Sequence, residues 1–449
     1  MRLRCFFILV LGAVLLVPAG AAQSPEDITG RVDALLKPLL EEDLISGSIL
    51  IAKGDAILLA KGYGPANREF SAPCTPATRY RLGSMTKQFT AAAILLLEEQ
   101  GRLQVTDSLS RFMPDFPNAE KITLHHLLTH TSGVVNYSSL PDTYRIWCQP
   151  LSIDEVIALF KDKPLRFEPG QKFEYSNSGY VLLAKVIEKA SGLPFGEFLA
   201  KNIFIPLGMT DTGLDEAVKV LPQRATGHYK DENGISQAPY LYVPFTSGAG
   251  SLVSTVQDLF KWNRALTHKR ILSEASLKRM FTPALEQYGY GWFIREEHGR
   301  RLIEHRGALN GFLSMTQRFV DDDIVVISLF NFVTMFAREV NLGLGAIALG
   351  RTAEPILLPA GVKLPEEVHQ RWAGSYRFTD GTEIRLAVDK GRLMFQSPGR
   401  PAEEAIPQKE NRFYVRPEAV MLNFRTDKDG AITLILQQNE RSFPFKKIA

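Results

Sequence analysis

Apolar residues at Ile28, Val32, Leu35 and Leu36 fall three or four apart, which predicts an amphipathic helix early in the chain. The pattern then changes. Residues 47–52 and 56–60 are apolar runs joined by Lys53-Gly54-Asp55, the signature of a strand hairpin. Phe89, Ala92, Ala93, Leu96 and Leu97 return to helical spacing, so a buried helix should begin near Ser84. Residues 110–205 read as helical segments between loops, an all-helical insertion. Strands resume at 288–294, 301–307, 312–319 and 323–331, the last with the continuous apolar core Ile324-Val325-Val326-Ile327-Ser328-Leu329. Strands at both ends of the first 350 residues, with helices between, predict one sheet assembled from both ends.

Pro355, Pro359 and Pro365 punctuate a stretch without periodicity, which marks a linker. Beyond Trp372 come short strands broken by Lys390-Gly391, Pro398-Gly399 and Asp429-Gly430. This is the texture of an antiparallel meander closed into a small barrel. The expected fold class is α+β: an antiparallel sheet flanked by helices, carrying an all-helical insertion, then a small all-β barrel-like domain.

The first residues alter the picture of where the protein works. Arg2 and Arg4 precede an apolar run from Cys5 to Val17, and Pro18-Ala19-Gly20-Ala21-Ala22 follows. That order is a secretory signal, cleaved after Ala21 or Ala22 and too short to span a bilayer, which takes about 18 residues or more. The expected divisions are a signal at 1–21, a main domain at 22–352, a linker at 353–366 and a β domain at 367–449. The mature protein is expected to be secreted or periplasmic, with no membrane span. Losing Arg2 and Arg4 lowers the formal charge from +3 to +1, and the basic residues are scattered, so a nucleic-acid partner is excluded. The expected partner is a small-molecule or peptide substrate. Cys74 and Cys148 remain after cleavage, and sequence does not decide whether they pair.

Candidate chemistry begins at Gly83-Ser84-Met85-Thr86-Lys87. Ser84 and Lys87 lie three apart and so share a face of the first helical turn. An amine there can take the serine proton if burial keeps it partly neutral. The same tetrapeptide is also an ordinary helix cap. Tyr175-Ser176-Asn177 enters another apolar helix, where the tyrosine reads as a packed aromatic and Asn177 or Ser178 as a cap. His126 and His130, one turn apart on a short helix ending at Gly133, could ligate a metal, but no glutamate or further ligand accompanies them. No metal or cofactor is expected. Ser247-Gly248-Ala249-Gly250-Ser251-Leu252 reads as a flexible turn. The glycines of 342–348 lie within a helical stretch and do not open a helix after a strand, which rules out dinucleotide binding.

Taken together, Ser84-Met85-Thr86-Lys87, Tyr175-Ser176-Asn177 and His305-Arg306-Gly307 resemble, in order and separation, the motifs of the serine β-lactamase and penicillin-binding-protein superfamily. The Tyr-x-Asn form is similar to class C β-lactamases and their esterase and D-peptidase relatives. The C-terminal segment resembles a lipocalin-like appendage. The resemblance implies that Ser84 is acylated, with Lys87 as its proton partner. It makes Tyr175 a general base whose phenolate Lys87 stabilises, while Asn177 holds Lys87 and the substrate carbonyl. The third motif would edge the cleft, with His305 and Gly307 beside the substrate and the N–H groups of Ser84 and Ala308 forming an oxyanion hole. His305 stands where penicillin-recognising members carry lysine, a pattern resembling family esterases and D-amino-acid peptidases or amidases. The expected activity is therefore hydrolysis of an ester or amide by an exported serine hydrolase. The alternatives are a β-lactamase or D,D-carboxypeptidase, and a binder that acylates without turning over.

Overall fold

The computed structural model describes residues 24–448 except 141–142, 232–233, 335, 357, 359–360, 380, 416–419 and 439–440. The expected signal at 1–21 and Pro359 of the expected linker lie outside the described residues. Ser24 accepts the Asp27 N–H and Pro25 occupies the first turn of α1 (Pro25–Glu41), where a missing donor is harmless. The hairpin β1 (Gly47–Lys53) and β2 (Ala56–Tyr63) follows, then α2 (Thr86–Glu99). The helical insertion holds α3 (Leu124–Leu128) and α4 (Asn177–Ser191), and α5 (Val256–Thr267) comes after it. β3 (Phe293–Glu297), β4 (Arg300–Leu309), β5 (Phe312–Phe319) and β6 (Ile324–Phe330) lead to α6 (Ala337–Ala348).

These strands form one six-stranded antiparallel sheet in the order β3-β4-β5-β6-β1-β2. Leu50 of β1 lies opposite Ala60 on one side and Ile327 on the other, so the two ends of the region meet at the sheet centre. Residues 47–52 are all buried, because helices cover both faces. Alternation sorts their side chains. Ile49 and Ile51 join Ile28, Leu36, Val340 and Leu344 under α1 and α6, while Leu50 and Ala52 join Phe89, Tyr180 and Leu259 under α2, α4 and α5.

Three local expectations change. The strand expected over 288–294 begins only at Phe293. Residues 288–292 instead make a tight turn, closed by Gly289 N–H to Trp292 O, with Gly291 at φ 75°. A Cβ on Gly291 would lie 2.6 Å from Lys87 O, so this turn is pressed against α2 and its aromatic alternation reports burial, not pleat. The helix carrying His126 stops at Leu128, and His130 has φ 58°, so the two histidines do not share a helical face. Residues 247–252 are largely buried against α2 and α4. A Cβ on Gly248 would meet Tyr180 O at 2.3 Å, which is not the setting of a flexible turn.

After the linker, α7 (Glu366–Trp372) leads into eight strands: β7 (Gly374–Arg377), β8 (Glu383–Asp389), β9 (Arg392–Gln396), β10 (Glu403–Lys409), β11 (Arg412–Val415), β12 (Val420–Thr426), β13 (Ile432–Gln438) and β14 (Arg441–Lys447). They close as an antiparallel barrel, β14 returning to β7. Its interior is filled by Leu393, Phe395, Phe413, Leu422 and Phe424, with Trp372 of α7 stacked on Phe424 at 4.6 Å. The fold is the expected α+β domain with a C-terminal β-barrel. Cys74 is buried, Cys148 exposed, and the two are not joined in a disulfide.

Candidate active site

Gly83, at φ 52°, turns the chain from a short strand into one 3₁₀ turn and then α2. The turn lies against β4: a Cβ on Gly83 would sit 2.9 Å from Ala308 N, and one on Gly307 would sit 1.9 Å from Leu82 O. Only glycine permits that approach. It is available because β3 pairs with β4 only as far as Glu304, leaving the edge from His305 onward open toward Ser84.

In the first turn of α2, Lys87 is fully buried. Its Nζ donates to Ser84 Oγ at 3.1 Å, Asn177 Oδ1 at 2.8 Å and Ala249 O at 2.9 Å. All three acceptors are neutral, so desolvation dominates and drives the Lys87 pKa well below that of a free lysine. Asn177 is fixed from the far side. Its N–H donates to Asn136 Oδ1 at 3.1 Å and its Nδ2 to Ser138 Oγ at 3.0 Å, which leaves Oδ1 aimed at the amine.

Two residues before Asn177, the Tyr175 ring lies beside the amine, its centre 4.8 Å from Lys87 Nζ. Burial raises the phenol's pKa above its usual value, an effect the nearby Ser84 hydroxyl only partly offsets. The two directions favour a neutral amine beside a neutral phenol. The phenolate held by an ammonium, expected from the sequence, is the disfavoured form here.

His305 differs from its expected place. It is 2% exposed, and both ring nitrogens are engaged: Nδ1 with Arg306 O at 2.7 Å, Nε2 with the Tyr288 hydroxyl at 3.0 Å. Since a carbonyl only accepts, Nδ1 carries the proton and the Tyr288 O–H donates to Nε2. Burial pushes the imidazole pKa down to about 3, with Lys87 the next contributor. It is a neutral brace for Tyr288 with no nitrogen left for substrate. The six other expected residues come together: Lys87 reaches Ser84 and Asn177, Tyr175 lies beside Lys87, and Gly307 and Ala308 abut Leu82 and Gly83 just before Ser84.

Sequence reasoning missed four partners. Ala249 acts through its carbonyl, which carries no residue-type signal. Asn136 and Ser138 lie some forty positions before Asn177 and only folding relates them. Tyr288 was read as a strand residue, although its setting in Tyr288-Gly289-Tyr290-Gly291 could have marked a turn.

A family-wide sequence model described as Beta-lactamase matches residues 32–348. The chain belongs to that family. This beta-lactamase-family chain is 29% identical over 440 residues to a penicillin-binding protein of Bacillus subtilis (strain 168), covering 91% of this chain and 96% of that protein. Among solved structures it is similar to the octameric penicillin-binding protein homologue from Pyrococcus abyssi: TM-score 0.67, 28% identity, covering 93% of this chain and 100% of that one. It is also similar to D-amino acid amidase from Ochrobactrum anthropi SV3, with TM-score 0.64 and 25% identity over 72% of this chain and 98% of that one. The family is one of serine hydrolases with a shared fold, and the match to the family model, unlike those to the Bacillus and Pyrococcus proteins, ends before the barrel.

Proposed function

We propose that the protein is an exported serine hydrolase that cleaves an ester or amide through an acyl-enzyme on Ser84. The observation that carries this is the Lys87 amine: wholly buried, without a carboxylate partner, and 3.1 Å from Ser84 Oγ. An amine kept neutral at that distance takes the hydroxyl proton as Oγ attacks a carbonyl carbon. The N–H groups of Ser84 and Ala308 face the oxygen that becomes negative. Tyr175, beside Lys87 and Ser84, gives its proton to the departing oxygen or nitrogen and recovers one from Lys87. Water then attacks the acyl-enzyme by the same path in reverse.

The substrate class follows from the strand side of the cleft. A neutral His305 with both nitrogens occupied offers no anchor to a carboxylate, so the reading favours esters and amides that lack a carboxylate, D-amino-acid amides among them. The penicillin-binding relatives support a second reading, a β-lactamase or D,D-carboxypeptidase. A protein that acylates and stays acylated is the reading outside catalysis. Purified mature protein should hydrolyse p-nitrophenyl esters or D-amino-acid amides, and Ser84→Ala should not. Equal rates for the two overturn the proposal. Cephalosporin turnover would favour the second reading, and a lasting penicillin adduct seen by mass spectrometry the third. Cell fractionation with the amino-terminal mass tests export: a chain found only in the cytoplasm and still beginning at Met1 counts against it.

A further inference from the structure

His130 is 1% exposed, takes no part in the chemistry proposed above, and holds a left-handed backbone conformation at φ 58°. That conformation is uncommon for a non-glycine residue, although histidine takes it more readily than most. Its surroundings are the segment that carries Tyr175. Glu174 N–H donates to His130 O at 2.9 Å, and Ser176 N–H donates to His130 Nδ1 at 3.1 Å. One residue thus grips the backbone on both sides of Tyr175. Its ring also lies along the Tyr175 ring, centres 4.2 Å apart and planes at 37°, with Tyr288 at 4.6 Å and Tyr180 at 5.1 Å behind it.

We infer that His130 is a positioning residue for Tyr175, a neutral imidazole whose unprotonated Nδ1 and stacked ring hold the phenol at Ser84. The inference rests on the reading of Tyr175 as the proton carrier. The tautomer follows from the hydrogen bond. A backbone N–H can only donate, so Nδ1 accepts and the ring proton sits on Nε2. Nε2 is buried without a hydrogen-bond partner, so no acceptor there draws the ring away from its stack. The groups facing it are Lys87 from α2, His305 from β4, Tyr175 before α4, Tyr180 within α4, and Tyr288 from the turn before β3. None is an acid. Burial, then the positive charge of Lys87 when protonated, hold His130 in the neutral form. A proton on Nδ1 would turn the Ser176 bond into a donor–donor clash and free the segment.

Two variants separate the acceptor from the ring. His130→Phe keeps an aromatic face and loses the acceptor. His130→Asn keeps an acceptor near the Nδ1 position and tolerates the left-handed backbone. On a small neutral ester, kcat of His130→Phe should fall about 30-fold or more with KM within about threefold, since small misplacements of catalytic groups act on the chemical step. His130→Asn should recover kcat to within about fivefold of the parent. Equal kcat in the two variants, whether normal or lowered, overturns the inference. The second measurement is ¹⁵N–¹H spectra of the histidine rings in the parent protein, with the His130 signals assigned by their loss from the His130→Asn spectrum. The His130 ring should be protonated at Nε2 and unchanged down to about pH 5, well under the usual midpoint near 6.5. A His130 ring protonated at Nδ1, or titrating near the usual value, overturns the inference as well. If the parent protein proves inert toward every ester and amide, the hydrolase reading fails, while the ring spectra still decide whether His130 grips the segment as described.

Discussion

On the helical wall of the cleft, Lys87 is fully buried and directs its amine at Ser84 and Asn177. On the strand wall, His305 is almost as deeply buried and directs both ring nitrogens back into the protein. Both are basic residues within a recognisable motif, yet one is armed and the other is satisfied. The difference lies in the partners. Lys87 meets three neutral acceptors and no carboxylate, so its burial is uncompensated and its pKa falls. His305 meets one donor and one acceptor, a complete set for a neutral imidazole. A motif position states which residue type is present, and its neighbours decide whether that residue is free to react.

The largest effect expected on the helical wall is that of Ser84→Ala, which should lower kcat/KM for a p-nitrophenyl ester by about 1,000-fold or more while the thermal midpoint stays put. Tyr175→Phe retains the ring that packs on His130 and removes only the hydroxyl. Steady-state assays should show a kcat loss of about 100-fold to 1,000-fold with little change in KM. A pH series adds the sign. Protonating Lys87 removes the proton acceptor, so kcat/KM should fall as pH drops through the amine's lowered pKa, giving an acid limb that lies below the usual lysine range. A profile flat from pH 5 to 9, with chemistry shown to be limiting, would mean the amine is not the acceptor.

The strand wall should respond in a different coordinate. His305→Ala strands the Tyr288 hydroxyl, so denaturant unfolding should show a loss of about 1–3 kcal/mol, while KM for a neutral ester moves less than about threefold. The smallest effect expected is none: with His305 neutral down to about pH 3, KM for a neutral ester should not vary between pH 5 and 8. A KM that climbs in parallel with imidazole titration would place His305 against the substrate after all and erase the contrast between the walls.

Period and punctuation made the architecture legible. The apolar runs at 47–52 and 324–329 announced central strands, and the glycine-broken texture after Trp372 announced the barrel. Residues whose backbone is set by a neighbour were not legible. Tyr288 alternates like a strand residue because it is buried beside other aromatics, and Gly248 looks mobile in sequence although it is pressed against Tyr180. Of the candidate site, the motifs exposed Ser84, Lys87, Tyr175 and Asn177, since the proposed chemistry is assigned to their side-chain types. They could not expose Ala249, which contributes a carbonyl, or the inward turn of His305, which Tyr288 enforces.

The order of strands in the central sheet has a temporal meaning. During synthesis the serine-bearing helix is made in the first quarter of the chain, but the strand that presses against Gly83 is not added until more than two hundred residues later. Until residues 300–330 arrive and slot in beside β1, Ser84 has no opposing strand and, on the mechanism proposed above, no second N–H donor for an oxyanion. On that mechanism the nascent protein holds Ser84 in a harmless form until the sheet closes.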